Sequence, residues 1–187
     1  DCSPLPHNRF FKVTEDALGY LWVTTYDNKL FRFDRNREQF TDVVRASEKL
    51  AGTSFKVSRY LNASGHDTWI ALEEAGLIRV TSGPDGEVNV TDYFDNEEIG
   101  KKITGLFEEK NGRIWVVSET GIACLSPSGK DYDISLFSSA SDVSSIVEMD
   151  RFVCFGAGTE LLVLDKRTGR VTRLHVCEND RIAALEK

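Results

Sequence analysis

The feature that most constrains the fold is an internal repeat centred on tryptophan. From Phe10 to Asp34 the chain alternates apolar and polar residues around a glycine-containing turn, a pattern that predicts strand, turn, strand, turn, strand. Trp22 follows a glycine by three residues, and Trp115 does the same in a second copy that begins at Ile103. A chain that repeats such a unit is expected to stack similar β units side by side.

Aligning on the strand that opens each unit gives five copies rather than two. The openings are Phe10/Val13/Glu15, Val57/Tyr60/Asn62, Ile103/Leu106/Glu108, Val143/Ile146/Glu148 and Ile182/Leu185/Lys187, at intervals of 47, 46, 40 and 39 residues. Four-stranded propeller blades repeat every 40 to 50 residues or so. We therefore predict an all-β chain, a β-propeller fragment of about four four-stranded antiparallel blades plus the first strand of a fifth.

The turn signals place the blades at about 8–53, 54–98, 99–140 and 141–178, with the next blade starting in 179–187. Beyond the opening strands, the predicted strands are 21–25, 30–34, 39–43, 67–72, 77–81, 88–94, 114–118, 122–126, 132–137, 161–165 and 171–176. A short helical turn is predicted within 45–53, and turns at 82–86 and 127–129. Blade four departs from the repeat, and we predict that Val153 takes the tryptophan position there.

Packing between blades explains the large apolar residues. Alternate side chains of the second and third strands must fill the wedge between neighbouring blades, so Trp22, Trp69 and Trp115 are predicted core residues rather than ligand platforms. Cys124 and Cys154 lie within apolar strand patterns and are predicted to be buried thiols.

Composition removes several classes of function. The net charge is -7 and the basic residues are scattered along the sequence, which argues against nucleic acid as a partner. The four cysteines show no zinc-ligand spacing, no cofactor motif is present, and no apolar run reaches about 18 residues. The chain begins at Asp1 and its only methionine is Met149, so we expect a piece of a longer protein.

The stretch from Glu15 through Trp22 to Asp34 also resembles a known family. Two acidic residues, a turn glycine, Leu-Trp-Val-Thr-Thr and then Leu-Phe-Arg-Phe-Asp are similar to the two-component regulator propeller repeat. The resemblance is strong in blades one and three, fair in blade two and weak in blade four. Blade two departs from it where His66 takes the glycine position, and blade four lacks both the tryptophan and the turn glycine.

The resemblance implies a function that the residues alone do not. The family forms the periplasmic sensor region of hybrid two-component systems, best known from gut Bacteroidetes, as seven-bladed propellers followed by a β-sandwich, a membrane helix and a kinase. By resemblance, this chain is expected to be periplasmic, to sense a sugar or oligosaccharide and to be non-catalytic. Any kinase activity would belong to a domain absent from this chain.

Candidate ligand contacts come from propeller geometry. Loops between second and third strands, and loops between blades, gather on one face around the channel. The residues predicted there are Tyr26, Asp27, Glu73, Glu74, Glu119 and His7. For each of them a solvated loop position is the simpler interpretation.

The sequence leaves two alternatives to a sensor function. A propeller glycosidase or lyase would use two carboxylates, which Glu73, Glu74 and Glu119 could supply. Against it, Glu15, Glu108 and Glu148 end their strands at turns, where exposure is expected rather than an apolar setting. A protein-interaction scaffold of the WD40 type is the other alternative, but its Trp-Asp signature is missing. An arc of four blades also leaves two apolar end faces, which predicts self-association.

Overall fold

Sixteen strands make up the regular structure of the described part of the chain. A computed structural model describes residues 9–16, 18–26, 29–43, 50, 56–64, 67–83, 86–176 and 182–185. Within these ranges there is no helix, and the strands form four antiparallel sheets of four consecutive strands each. The prediction of an all-β chain with four four-stranded blades is confirmed.

The strand bounds follow the repeat closely. Blade one contains β1 (Phe10–Glu15), β2 (Leu21–Thr25), β3 (Leu30–Asp34) and β4 (Gln39–Asp42). Blade two contains β5 (Val57–Asn62), β6 (Thr68–Leu72), β7 (Gly76–Ser82) and β8 (Val88–Asp92). Blade three contains β9 (Gly105–Glu108), β10 (Ile114–Ser118), β11 (Gly121–Ser128) and β12 (Asp131–Ser138). Blade four contains β13 (Val143–Glu148), β14 (Phe152–Ala157), β15 (Glu160–Asp165) and β16 (Val171–His175).

Three apolar clusters join successive blades. Trp22 and Leu30 of blade one pack with Ile70 and Ile78 of blade two. Trp69 is in the cluster between blades two and three, and Trp115 is in the cluster between blades three and four. All three tryptophans are buried, which confirms that they are core residues. No fourth cluster among the described residues joins blade four to blade one, so the described blades form an open arc.

The pairing register corrects the sequence alignment in blade four. The opening motif of each blade ends in a polar residue, and in blades one to three the tryptophan of that blade pairs with the residue before it. In blade three the motif ends at Glu108, and Trp115 pairs with Phe107. In blade four the residue in that register is Cys154, which pairs with Val147. The prediction for Val153 was wrong, because the first turn of blade four is one residue shorter than in the other blades, not two. Val153 instead faces blade three, in the cluster with Trp115.

The acidic residues at the ends of the inner strands have structural partners. The indole N–H of Trp22 donates to Asp16 Oδ2 at 2.8 Å, and that of Trp115 donates to Glu109 Oε2 at 3.3 Å. In blade two the same position is Ala63, and Trp69 Nε1 is buried without a partner among the described residues. The acidic pair of the repeat therefore serves partly to satisfy the buried tryptophan.

The glutamates at the ends of the opening motifs, Glu15, Glu108 and Glu148, were all predicted to be exposed, but only one of them is. The side chain of Glu15 is 53% exposed, as predicted. The side chain of Glu148 is only 10% exposed and accepts a hydrogen bond from Lys166 Nζ at 2.8 Å, so the prediction of an exposed turn position was wrong there. Glu108 is half-buried and accepts the backbone N–H of Ser64 at 2.9 Å, which ties blade three to the first turn of blade two.

Of the remaining structural predictions, some are confirmed and others are wrong or fall outside the described residues. The turn predicted at 127–129 lies later, because β11 continues through Ser128. Residues 182–185, where a fifth opening strand was predicted, carry no strand, although Ile182 N–H donates to the Gly158 carbonyl oxygen at 2.8 Å. The helical turn predicted within 45–53 falls outside the described residues except for buried Leu50. Cys124 and Cys154 are free and buried, as predicted.

Candidate functional site

The four described candidate residues, Tyr26, Glu73, Glu74 and Glu119, lie at one end of the blades, where the inner strands begin. Because Phe10 pairs with Thr25, the start of each first strand and the end of each second strand meet at the same edge. The turn between second and third strands is therefore beside the connection that enters the blade. Tyr26, Glu73 and Glu119 each follow the tryptophan of their blade by four residues, so the repeat itself brings them to this face. His7 and Asp27 lie outside the described residues.

In blades one and two this position contacts the residue just before the inner strand. Tyr26 N–H donates to the Arg9 carbonyl oxygen at 3.3 Å, and the guanidinium carbon of Arg9 lies 5.3 Å from the centre of the Tyr26 ring. Glu73 N–H donates to the Lys56 carbonyl oxygen at 2.6 Å, and Lys56 Nζ lies 3.6 Å from Glu73 Oε2. The turn is thereby fixed to the entry of its own blade.

Glu119 makes this contact through its carboxylate. Its two oxygens accept the backbone N–H groups of Lys101 at 2.9 Å and Lys102 at 2.7 Å. Partial burial on its own would raise the pKa of Glu119, but the backbone N–H donors of Lys101, Glu119 itself and Lys102 lower it overall. Glu119 therefore remains ionised and holds the connection between blades two and three in place.

Gly100 allows that close contact. It has φ +73°, and a Cβ built on it would lie 3.1 Å from Glu119 Oε2 and 2.9 Å from Ser118 Oγ. A larger residue would combine a left-handed backbone with crowding against the turn. The glycine lets the connection lie directly on the turn that carries Glu119.

Two grooves flank the connection formed by residues 100–104. The larger, of about 430 Å³, is lined by Phe94, Asp95, Asn96, Glu97, Gly100, Lys101, Glu119 and Thr120. The smaller, of about 260 Å³, is lined by Ser58, Glu73, Glu74, Lys102, Ile103 and Thr104. Three predicted residues thus line grooves, Glu119 in one and Glu73 with Glu74 in the other. Tyr26 lines neither of these two.

Glu74 has an unusual backbone conformation. It is exposed and has φ +60°, a left-handed value that glycine or asparagine adopts more readily than glutamate. The following Gly76 has φ +113° and begins β7. This tight turn projects two consecutive carboxylates beside the smaller groove.

Sequence reasoning missed the groove residues contributed by the connections. Asn96, Lys101 and Lys102 precede the opening of blade three, in a segment for which the sequence predicts only a blade boundary, and Phe94 ends the predicted strand 88–94, although the observed β8 ends at Asp92. A signal was present, since Arg9, Lys56 and Lys102 all stand one residue before an opening position. The connection lies close to the neighbouring turn because of Glu119 and Gly100. These two residues are not part of the repeat pattern, so the pattern does not predict the contact.

The described residues contain neither a metal-binding cluster nor a membrane-spanning helix. Within the described ranges, no group of three or more histidine, cysteine, aspartate or glutamate side chains is placed to hold a metal ion. The same part of the chain contains no helix long and apolar enough to cross a membrane.

Comparison with solved structures identifies the fold. The chain matches a domain described as the extracellular part of a hybrid two-component system from B. thetaiotaomicron, with 18% identity, TM-score 0.55 and coverage of 97% of this chain and 32% of that one. It also matches PorZ, a surface component of the type-IX secretion system of Porphyromonas gingivalis, with 15% identity, TM-score 0.61 and coverage of 98% and 29%. A third match is virginiamycin B lyase from Staphylococcus aureus, with 16% identity, TM-score 0.57 and coverage of 91% and 57%.

These likenesses establish a β-propeller fold, as the repeat predicted. No protein-family model and no curated protein matches the sequence. The chain spans about a third of the length of the two-component domain it matches.

Proposed function

We propose that this chain is the ligand-sensing periplasmic propeller region of a two-component signalling sensor and that it recognises a sugar or oligosaccharide. The observation that carries the proposal is the pair of grooves on either side of residues 100–104, on the face where turns and connections gather. The resemblance to the two-component regulator propeller repeat supports the same proposal, and it does not depend on these grooves.

The groove linings suit a polyhydroxylated ligand. Sugar hydroxyls exchange hydrogen bonds with carboxylates, amides and hydroxyls, while the apolar faces of sugar rings pack on aromatic side chains. The larger groove offers the half-buried Phe94 ring beside Asn96 and Thr120. The smaller groove offers two carboxylates, the Ser58 and Thr104 hydroxyls and one ammonium group.

We further propose that binding occurs without catalysis. A glycosidase needs one carboxylic acid with a raised pKa, whereas the pKa of Glu119 is lowered. Glu73 Oε2 lies 3.6 Å from Lys56 Nζ, so this carboxylate already forms an ion pair within its own blade. The likeness to a lyase keeps an enzyme as the second candidate.

The proposed partners follow from the same picture. A glycan would occupy the grooves, and copies of the chain would associate through the outward faces of blades one and four. Val13 on blade one is 54% exposed and Leu174 on blade four is 47% exposed, so apolar surface remains open at both ends.

A calorimetric titration with a glycan panel tests the sensing role. We expect saturable binding of at least one oligosaccharide, and we expect Glu74→Gln to weaken it about tenfold by removing an acceptor beside the smaller groove. Glu87→Gln, in the turn before β8 at the other end of blade two, is the matched control and should bind normally. Product analysis of the same mixtures separates the candidates, because turnover of any bound glycan would favour the enzyme.

A further inference from the structure

Charge is distributed unevenly along the inner strands. In blades one to three, six basic residues stand just before the inner strand or early in it: Arg9, Lys12, Lys56, Arg59, Lys101 and Lys102. The far ends of the inner strands carry Glu15, Glu108 and Glu148 in three of the four blades. The inner strands therefore carry cations at their groove ends and carboxylates at their opposite ends, while the turns and connections of the groove face add Asp95, Glu97, Glu119, Glu73 and Glu74.

The acidic end is internally satisfied. Glu15 Oε1 is paired with Arg35 at 2.7 Å, Glu108 accepts hydrogen bonds from Ser64, and Glu148 accepts one from Lys166. These carboxylates already have partners within the fold, so their role is structural.

The basic end is mostly not paired with carboxylates. Among the described residues, Lys101 and Lys102 make no ion pair within 4 Å, and Glu119 is held by their backbone N–H groups rather than by their ammonium groups. Lys12 Nζ lies 5.4 Å from the centre of the Tyr60 ring and makes no ion pair with a described carboxylate. Lys56 is paired with Glu73, so its positive charge is partly neutralised.

Arg59 places a second cation next to the smaller groove. Its Nε donates to the Thr104 carbonyl oxygen at 2.9 Å and its Nη1 donates to the Ser58 carbonyl oxygen at 2.8 Å, and both Ser58 and Thr104 line that groove. No described residue accepts a hydrogen bond from Nη2. The guanidinium is thus fixed at the junction of blades two and three, close to the connection that carries Lys102, with donor capacity left over.

We propose that Lys102 and Arg59 bind the anionic group of an acidic saccharide, a carboxylate or a sulfate, at the smaller groove. This inference rests on the proposed saccharide-sensing function and names the class of saccharide. A fixed guanidinium and an ammonium form charge-assisted hydrogen bonds with such a group, which are about twice as strong as neutral ones.

The two glutamates of the groove define the orientation of the ligand. Glu73 and Glu74 repel an anion, so the acidic group is directed toward Lys102 and Arg59, while the sugar hydroxyls donate to the carboxylates. A site that combines cations with carboxylates distinguishes an acidic saccharide from a simple anion such as phosphate, which offers fewer donors to Glu73 and Glu74.

The test compares matched saccharides by calorimetry on the whole chain. The probes are an oligogalacturonate, its carboxyl-reduced neutral counterpart, and a sulfated galactose oligomer of the same length. We expect one of the two acidic probes to bind at least about tenfold more tightly than the neutral one, and added salt to weaken that difference. Which acidic probe is preferred distinguishes carboxylate from sulfate.

Lys102→Gln and Arg59→Gln should each reduce the affinity for the acidic probe about tenfold and reduce the affinity for the neutral probe by a smaller factor. Lys102→Gln keeps the backbone N–H that Glu119 accepts, so the groove wall is preserved. Arg167→Gln is the matched control, since Arg167 is exposed in the turn after β15 at the opposite end of the blades. Unfolding midpoints of the variants check that they are folded.

Two results would overturn the inference. Equal affinity for acidic and neutral probes would remove the acidic preference while leaving saccharide sensing in place. An equal loss in the Arg167→Gln control would mean that the attraction is a general charge effect. Absence of binding by every saccharide in the wider panel would instead count against the proposed function itself.

Discussion

At the residue scale, the repeat pairs each buried tryptophan with an acceptor where the sequence provides one. Glu109 is 1% exposed and accepts the Trp115 indole N–H, and its carboxylate also lies 3.9 Å from Lys166 Nζ. Removing it would leave a buried donor and a largely buried ammonium group without this acceptor. We expect Glu109→Ala to reduce the free energy of unfolding by about 2–4 kcal/mol in urea titrations. Glu109→Gln keeps an acceptor and should lose less than Glu109→Ala; equal losses would contradict this role.

Glu119 offers a pH-dependent test at the same scale. Its pKa is lowered from the ordinary value of 4.5 in the folded state: burial opposes the shift and the backbone N–H donors of Lys101, Glu119 and Lys102 outweigh it. Below that ordinary value the unfolded chain binds more protons at this group than the folded chain does. The stability due to Glu119 is therefore fully present above about pH 4.5 and is lost as the pH falls through its folded pKa.

We accordingly expect Glu119→Gln to flatten the dependence of unfolding free energy on pH in the acidic range below 4.5. Denaturant titrations at several pH values would measure the two slopes. Glu97→Gln, an exposed residue of the larger groove, is the control that should leave the slope unchanged. A wild-type slope in Glu119→Gln would show that its hydrogen bonds do not persist in solution.

Individual residues were predictable where packing at blade period decides them. Trp22, Trp69 and Trp115 were assigned to the core because a blade needs bulk at that position. Cys154 was missed because a turn shortened by one residue changes which strand face a residue occupies, and a small thiol gives no signal of its own.

At the element scale, β11 and β12 illustrate how a glycine permits close strand contact. Gly121 opens β11 with φ +134°, and a Cβ built there would lie 2.0 Å from the Ser138 carbonyl oxygen. Gly129, in the turn after β11, has φ +64° but no atom within 4 Å of such a Cβ. We expect Gly121→Ala to cost more than about 3 kcal/mol, or to prevent folding, because backbone must move.

Gly129→Ala is the matched variant, since only its left-handed backbone is penalised, at about 1 kcal/mol. Thermal and urea unfolding of both variants measure the difference. Comparable losses would indicate that β11 and β12 separate at that end in solution.

Strand positions were predicted well because the turns carry glycine and polar residues between apolar runs. The remaining discrepancies have local causes. Three inner strands carry hydroxyl residues just after the opening position, and Ser58, Thr104 and Ser144 donate to the carbonyl oxygens of Ala71, Val117 and Gly156 at 3.2, 3.4 and 3.3 Å. These hydroxyls support an irregular start of the inner strand, which strand patterning places only approximately.

At the whole-molecule scale, the fold follows from the repeat but the grooves do not. Any chain with these strand patterns forms blades, and successive blades must cover the tryptophan faces. The grooves arise instead from how the connection at residues 100–104 lies against two turns, a tertiary arrangement fixed by one carboxylate and one glycine. Sequence therefore predicted the face on which Glu73, Glu74 and Glu119 lie, and missed the lysines between them.

The open arc leads to the last prediction, which concerns association. Strand pairing places Val13 and Phe40, which are 54% and 37% exposed, on the face of blade one that points away from blade two, and Leu161 and Leu174 on the outward face of blade four. Each inner junction buries a comparable apolar face against the next blade. Because apolar faces of this kind associate in water, we expect the 21.0 kDa chain to show a concentration-dependent mass by light scattering at micromolar concentration.

Two matched leucines make that expectation specific. Leu174 and Leu136 are each 47% exposed on outermost strands, but only Leu174 lies on the outward face of an end blade. Leu174→Lys should shift the chain toward the monomer, because a charge on the contact face must lose its hydration when the faces meet. Leu136→Lys should leave the mass unchanged. A strictly monomeric wild-type chain over the whole concentration range would show that the end faces do not bring copies together.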